Sequence, residues 1–228
     1  KNCIFANQTH IKEKNMNISK FLNVVLIILL IFTFYYCTPS QAGKGEKEGE
    51  ECNNSEVVLN NIHSRKSVRH FTTEKVSKEQ LVTLAKAAMA APTARNAQPW
   101  QIIAIDDRAI LDSLCAVLPY AKMLEQAPAA MLVCGDMTKA LEGDGRQFWI
   151  QDCSAATENL LLAAEGMGLG AVWTAVFPDN ERLKGVCRVL QLPSYIIPLN
   201  VIPVGYPTGE DMPKIKWDEE KFHYNGWE

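Results

Sequence analysis

The run FLNVVLIILLIFTFYY, from Phe21 to Tyr36, constrains this chain more than any other feature. Its residues carry no charge, Lys12, Lys14 and Lys20 precede it, and the next charged residue is Lys44. A start at Met16 would give a short basic segment followed by an apolar one, the layout of a secretory signal, with residues 1–15 as an upstream extension. Three outcomes fit that layout: cleavage after Ser40-Gln41-Ala42, lipid attachment at Cys37, or retention as an anchor. Tyr35 and Tyr36 stand where lipid attachment calls for a small residue, and the run falls short of the roughly 20 residues that span a bilayer. A buried core helix is the remaining alternative, but no polar helical face interrupts the run. Residues 1–42 therefore read as an extension plus a signal or anchor. The expected destination is the cell envelope, periplasmic or membrane-tethered, and the cytoplasm if the segment is no true signal.

Gly43 to Glu51 (GKGEKEGEE) cannot bury enough apolar surface to fold, so 43–56 reads as a flexible charged tether. Residues 57–228 remain, about 170 residues, enough to bury roughly 70% of the unfolded surface without disulfides or metals. The net charge of the whole chain is −3, which argues against nucleic acid as a partner, because phosphate binding calls for a concentrated basic face.

Cys115, Cys134, Cys153 and Cys187 stand singly among apolar neighbours. With no CxxC pair and no Cys/His ligand spacing, they read as inert thiols and no metal site is expected. Glu56 to Ser64 has helical spacing, and Ser77-Lys78-Glu79-Gln80 has the form of a capping box ahead of Leu81, Leu84, Ala88 and Met89. Trp100–Ile105, Ala129–Cys134 and Ile197–Val204 read as strands, and Ala171–Phe177 as extended. Helices are predicted over 108–118, 148–167 and 180–190. Helices outweigh strands and do not alternate with them regularly, so the predicted fold is α+β with a small central sheet. Gly166, Gly168 and Gly170 imitate a dinucleotide fingerprint, but they follow a helix instead of a strand. They read as a helix C-cap.

Two segments carry candidate chemistry. Ser64-Arg65-Lys66-Ser67-Val68-Arg69-His70 concentrates cations and hydroxyls, which suits an anion, although a solvated basic turn has the same composition. Pro92-Thr93-Ala94-Arg95-Asn96-Ala97-Gln98-Pro99 sets amide side chains between two prolines, so that rigid backbone presents donors and acceptors to the edge of a planar heterocycle. Lys214 and Lys216 add two late cations. His63, His70 and His223 form no recognisable base or ligand set.

In this order and at these separations, the pieces resemble the nitroreductase superfamily of FMN-dependent oxidoreductases. The resemblance spans about 57–228. It rests on Arg65-x-Ser67-x-Arg69, on the Ala-Pro-Thr-x-x-Asn-x-Gln-Pro-Trp loop, on Gly168-Leu169-Gly170-Ala171-Val172-Trp173, and on Gly205-Tyr206-Pro207 followed by Lys214-x-Lys216. It implies a small, mostly antiparallel central sheet surrounded by helices, in an intertwined homodimer with FMN at each interface. Arg65, Lys66, Ser67, Arg69, Lys214 and Lys216 are the implied contacts from one chain, with Arg65, Ser67 and Lys216 near the phosphate and Arg69 near N1 and O2 of the ring. Pro92, Thr93, Ala94 and Asn96 are implied contacts from the second subunit, and Trp173 and Thr174 lie over the flavin near N5. The implied reaction is a ping-pong hydride transfer from NAD(P)H to nitroaromatic, quinone or similar acceptors, with the chemistry carried by FMN.

Some positions depart from the pattern. Ala175 replaces a glutamate found in several relatives, and Lys216 replaces an arginine. Lys122 matches a basic residue near the flavin in some members, yet it also fits a solvated helix-end lysine. Export would separate the domain from NAD(P)H and would call for another reductant, such as a membrane quinol or a partner protein. Another superfamily branch (reductive dehalogenation, dehydrogenation or flavin breakdown) and a non-catalytic, tethered flavin-binding protein are the alternatives.

Overall fold

The structure, a computed structural model, describes residues 53–227. The apolar run, Cys37 and most of the predicted tether lie outside the described residues. The first described element is α1 (Asn54–Ser64), followed by α2 (Lys78–Met89), β1 (Trp100–Ile105), α3 (Arg108–Val117) and β2 (Ala129–Asp136). Next come α4 (Phe148–Gly166), β3 (Gly170–Ala171), β4 (Thr174–Ala175), α5 (Asn180–Leu190) and β5 (Ile196–Gly205). The elements differ from the sequence expectation by one or two residues at their ends, and the extended stretch 171–177 resolves into two short strands.

The helix starts follow from their caps. Ser77 and Gln80 form the capping box, the hydroxyl accepting from the Gln80 amide and the Gln80 side chain accepting from the Ser77 amide. Asp107 and Asp179 cap α3 and α5 by accepting the amides two and three residues on. At the end of α4, Gly168 sits at φ +72°, while the Gly168 amide donates to Glu165 O and the Leu169 amide to Ala164 O. That is a Schellman C-cap, the role expected of the glycine cluster.

The sheet runs β1–β2–β5–β3, with β4 also on β5, and every strand pair is antiparallel. All eight residues of β2 are buried. Ala129, Met131 and Val133 face one core with Leu81, Leu84, Leu160 and Ala164, while Ala130, Leu132 and Cys134 face a second with Leu111, Leu114 and Val186. Period-two alternation therefore serves two buried faces, with α2 and α4 on one and α3 and α5 on the other. β5 carries Pro198 at a register shift opposite Val133 and Cys134, a bulge that admits a residue unable to donate to the ladder.

α1 packs differently. None of its residues is buried; Val57, Val58, Leu59 and Ile62 are exposed, and the Asn61 amide group ties the helix to Leu162 O of α4 at 3.0 Å.

Candidate functional site

The segment from Arg65 to Thr72 is fixed at both ends. Near its start, Ser67 bridges Ala171 of β3, and the Val68 amide donates to Ala171 O at 3.0 Å. Val68 is fully buried, and it seats against Gly170 so closely that a Cβ there would lie 2.5 Å from Val68 Cγ1. At the other end Phe71 bridges Pro207, and the Thr72 amide donates to Tyr206 O at 2.8 Å. With Val68 and Phe71 inward, Arg65, Lys66, Ser67 and Arg69 are left at or near the surface.

Those four residues line a cleft of about 530 Å³ whose far wall is the late segment carrying Lys214 and Lys216. Cations roughly 150 residues apart in sequence thus meet at one place. Two of them are paired: Arg65 Nε lies 3.1 Å from Glu158, and Lys66 Nζ lies 3.2 Å from Glu165. Glu158 and Glu165 stand seven residues apart and so share one face of α4. Among the described residues, Arg69, Lys214 and Lys216 take part in no ion pair, so their charge faces the cleft without a carboxylate partner.

The cleft also contains Glu210 and Asp211. Asp211 Oδ2 accepts the Arg69 amide at 2.8 Å and the His70 amide at 3.2 Å, and His70 Nδ1 lies 3.2 Å away. Burial pushes the Asp211 carboxyl up, but these donors hold it below the ordinary aspartate value.

The loop Pro92–Pro99 lies elsewhere. The Ala94 amide donates to Asp152 Oδ1 at 2.9 Å, near the start of α4. Asp152 precedes Glu158 by six residues and Glu165 by thirteen, which places it about 9–20 Å further along the axis and on another side of the helix. Within one chain, then, Pro92, Thr93, Ala94 and Asn96 stand apart from the cationic cleft. The loop is strained: Arg95, Asn96 and Gln98 take φ of 51°, 55° and 49°, a left-handed region that costs non-glycine residues about 1–2 kcal/mol each. Its hydrogen bonds hold that shape, with the Gln98 amide donating to Thr93 Oγ1 and the Gln98 side chain to Asn96 Oδ1.

Trp173 packs half-buried against the main core. The Thr174 side chain points inward and its hydroxyl donates to Val201 O, so only its backbone remains for any ligand. Ala175 O accepts from Arg182 at 3.2 Å, and Arg182 also stacks over Tyr120 at 5.0 Å. Lys122 faces a different recess, with Asp112 and Glu125. Cys134 and Cys153 are buried, while Cys115 and Cys187 are half-buried; burial pushes the Cys153 thiol up to about 12 and that of Cys134 up as well.

Sequence reasoning missed Glu158, Glu165, Asp152 and Asp211. A carboxylate such as Asp152 inside an Ala/Leu-rich helix was a readable signal; Asp211, in a segment without regular structure, gave none.

The donor set fits a phosphorylated ligand: three cations without a carboxylate partner and a hydroxyl from Ser67 line one cleft. Comparison with known proteins gives the family. A model described as Nitroreductase family matches residues 62–118 and 113–206. A crystal structure from Parabacteroides distasonis ATCC 8503, provisionally named an NADH dehydrogenase/NAD(P)H nitroreductase, is 48% identical with a TM-score of 0.71, over 75% of this chain and 98% of that one. A Methanothermobacter thermautotrophicus protein with the same provisional name is 38% identical over 171 residues, 75% of this chain and 87% of its own. The FMN-dependent nitroreductase of Clostridium difficile R20291 is 27% identical with a TM-score of 0.67, over 74% of this chain and 99% of that one.

Proposed function

The chain belongs to the nitroreductase family, and from that membership we propose that it is an FMN-dependent NAD(P)H oxidoreductase acting on nitroaromatic, quinone or similar acceptors. The observation that carries this reading is the cleft in which Arg65, Lys66, Ser67 and Arg69 meet Lys214 and Lys216. FMN, when bound, supplies a two-electron relay between NAD(P)H and the acceptor. Lys214, Lys216 and Ser67 are assigned to the phosphate. Arg69 is assigned to the ring, where a fixed cation stabilises the electron density that reduction adds. Arg65 and Lys66, held by Glu158 and Glu165, anchor the basic segment on α4 and add their remaining donors to the cleft.

The functional unit is a homodimer in which the partner's Pro92–Asn96 loop and the Trp173–Thr174 backbone complete the site. Support comes from the distance between that loop and the cleft in one chain, and from the uncovered apolar side chains of α1 and of the tail. Ile215 is 99% exposed, Trp217 73% and Trp227 87%. The N-terminal segment, where it acts as a signal, directs the domain to the cell envelope, periplasmic or membrane-tethered, and a membrane quinol or partner protein then replaces NAD(P)H as reductant. Without export the domain stays in the cytoplasm with NAD(P)H, and fractionation of cells expressing a C-terminally tagged chain separates the two.

The activity test is steady-state oxidation of NADH and NADPH by FMN-loaded protein with menadione or nitrofurazone. Turnover with parallel double-reciprocal lines supports the proposal. Loaded protein that oxidises neither nucleotide contradicts it.

A further inference from the structure

We propose that Asp211 is a positioning residue that latches the two cationic segments of the cleft together, and that the preference for a phosphorylated ligand depends on this latch. The inference rests on the FMN reading above and concerns how this chain achieves it.

Arg69 and His70 belong to the segment that leaves α1, and Lys214 and Lys216 belong to the segment that leaves β5. One carboxylate oxygen, Asp211 Oδ2, takes the Arg69 amide at 2.8 Å, the His70 amide at 3.2 Å and His70 Nδ1 at 3.2 Å. Upstream, Thr208 donates to His70 O at 3.1 Å, and Gly209 turns the chain at φ +96°. From Gly209 to Lys216 the hydrogen bonds among the described residues are those of Asp211 alone; Glu210 adds only a 3.7 Å approach to His70. Met212, Lys214, Ile215 and Lys216 are exposed, so within one chain no packing substitutes for the latch.

The consequence is one of reach. Without the latch the last tie before Lys216 is the Thr208 amide, eight residues upstream and up to about 28 Å away when extended; the latch at Asp211 shortens that to five residues, up to about 17 Å. Untied, that stretch samples many positions, and ordering it on ligand binding costs conformational entropy. Tied at Asp211, the two lysines begin within the cleft. A carboxylate beside an anion site looks unfavourable on charge alone. Its Oδ2, however, is turned to the Arg69 and His70 amides and the His70 ring, so that it ties the two cationic segments together while keeping its charge.

The experiment compares binding of FMN and riboflavin, by quenching of flavin fluorescence, in the full chain and in Asp211→Ala and Asp211→Asn. The two ligands differ by the phosphate alone. Asp211→Ala is expected to lower the preference for FMN over riboflavin by about tenfold, the ratio one charge-assisted hydrogen bond is worth, while riboflavin affinity stays within about twofold. Asp211→Asn keeps an acceptor for the two amides and is expected to restore much of the preference; it also serves if the alanine variant fails to fold. An unchanged FMN/riboflavin ratio in a folded variant, or equal loss for both ligands, overturns the latch. Failure of the unsubstituted chain to bind FMN overturns the functional reading itself.

Discussion

Replacement of Gly170 by alanine tests how the fold delivers the cationic segment to the cleft. A Cβ at position 170 would lie 2.5 Å from Val68 Cγ1, 2.7 Å from Val68 Cβ and 2.8 Å from Val68 Cγ2. Ordinary contact begins at 3.4 Å, so Val68 must retreat by about 0.9 Å from a fully buried position. Overpacking of this kind costs about 1–3 kcal/mol. The site suffers as well, because Ser67 and Arg69 flank Val68 and the Val68 amide is bonded to Ala171 O. Loss of one well-directed, charge-assisted hydrogen bond, about 1.5 kcal/mol, would raise the FMN dissociation constant by about tenfold. Urea unfolding reads the first effect and fluorescence titration with FMN the second. Val68→Ala in the same chain should recover only part of the stability, since it removes both Cγ atoms but leaves the Cβ clash. A Gly170→Ala protein destabilised as stated but binding FMN with unaltered affinity would refute the claim that β3 positions the cations.

Three further outcomes follow from the geometry. Lys216→Ala should weaken FMN binding while leaving the potential of the bound flavin near its original value, whereas Arg69→Ala should lower that potential; anaerobic titration against reference dyes separates them, and identical behaviour of the two variants contradicts the division of roles. Alkylation mapped by mass spectrometry should modify Cys115 and Cys187 in the native protein and spare Cys134 and Cys153, both fully buried; early labelling of Cys153 would contradict the packing of α4. In Asp136, as in Asp211, burial pushes the carboxyl up but hydrogen bonds outweigh it, here from Thr138 and Gln101. A depressed folded value contributes stability above the ordinary 3.8 and loses it as pH falls through the lower folded value. Urea midpoints should therefore drop below about pH 4, less steeply in Asp136→Asn; a slope the same in both proteins would remove Asp136 as a source.

Most of the fold is legible in the sequence because its signals are local. Ser77 and Gln80 state a capping box, the short unbroken apolar run of β2 states a buried strand, and glycines after a long helix state a C-cap. Element ends shift where tertiary pairing decides them, as when β2 continues to Asp136 through pairs with Trp100 and Ile196. The splitting of 171–177 into two strands depends on which residues β5 accepts, and no local spacing encodes that. For the site, residue types announced the cations and the resemblance grouped them. The partners that fix their position, Glu158, Glu165 and Asp211, are distant in sequence and became visible only as contacts. The inward turn of the Thr174 hydroxyl toward Val201 O was likewise unreadable, since a threonine in a short strand suits either face.

The central claim is that this family member binds FMN and reduces it with a nicotinamide nucleotide. Anaerobic addition of NADH or NADPH to the FMN-loaded protein, followed by its visible absorbance, tests that most directly. The account predicts that the flavin bands bleach at about one equivalent of nucleotide and return when menadione is added. A protein that takes up no FMN, or whose bound flavin neither nucleotide bleaches, would contradict it.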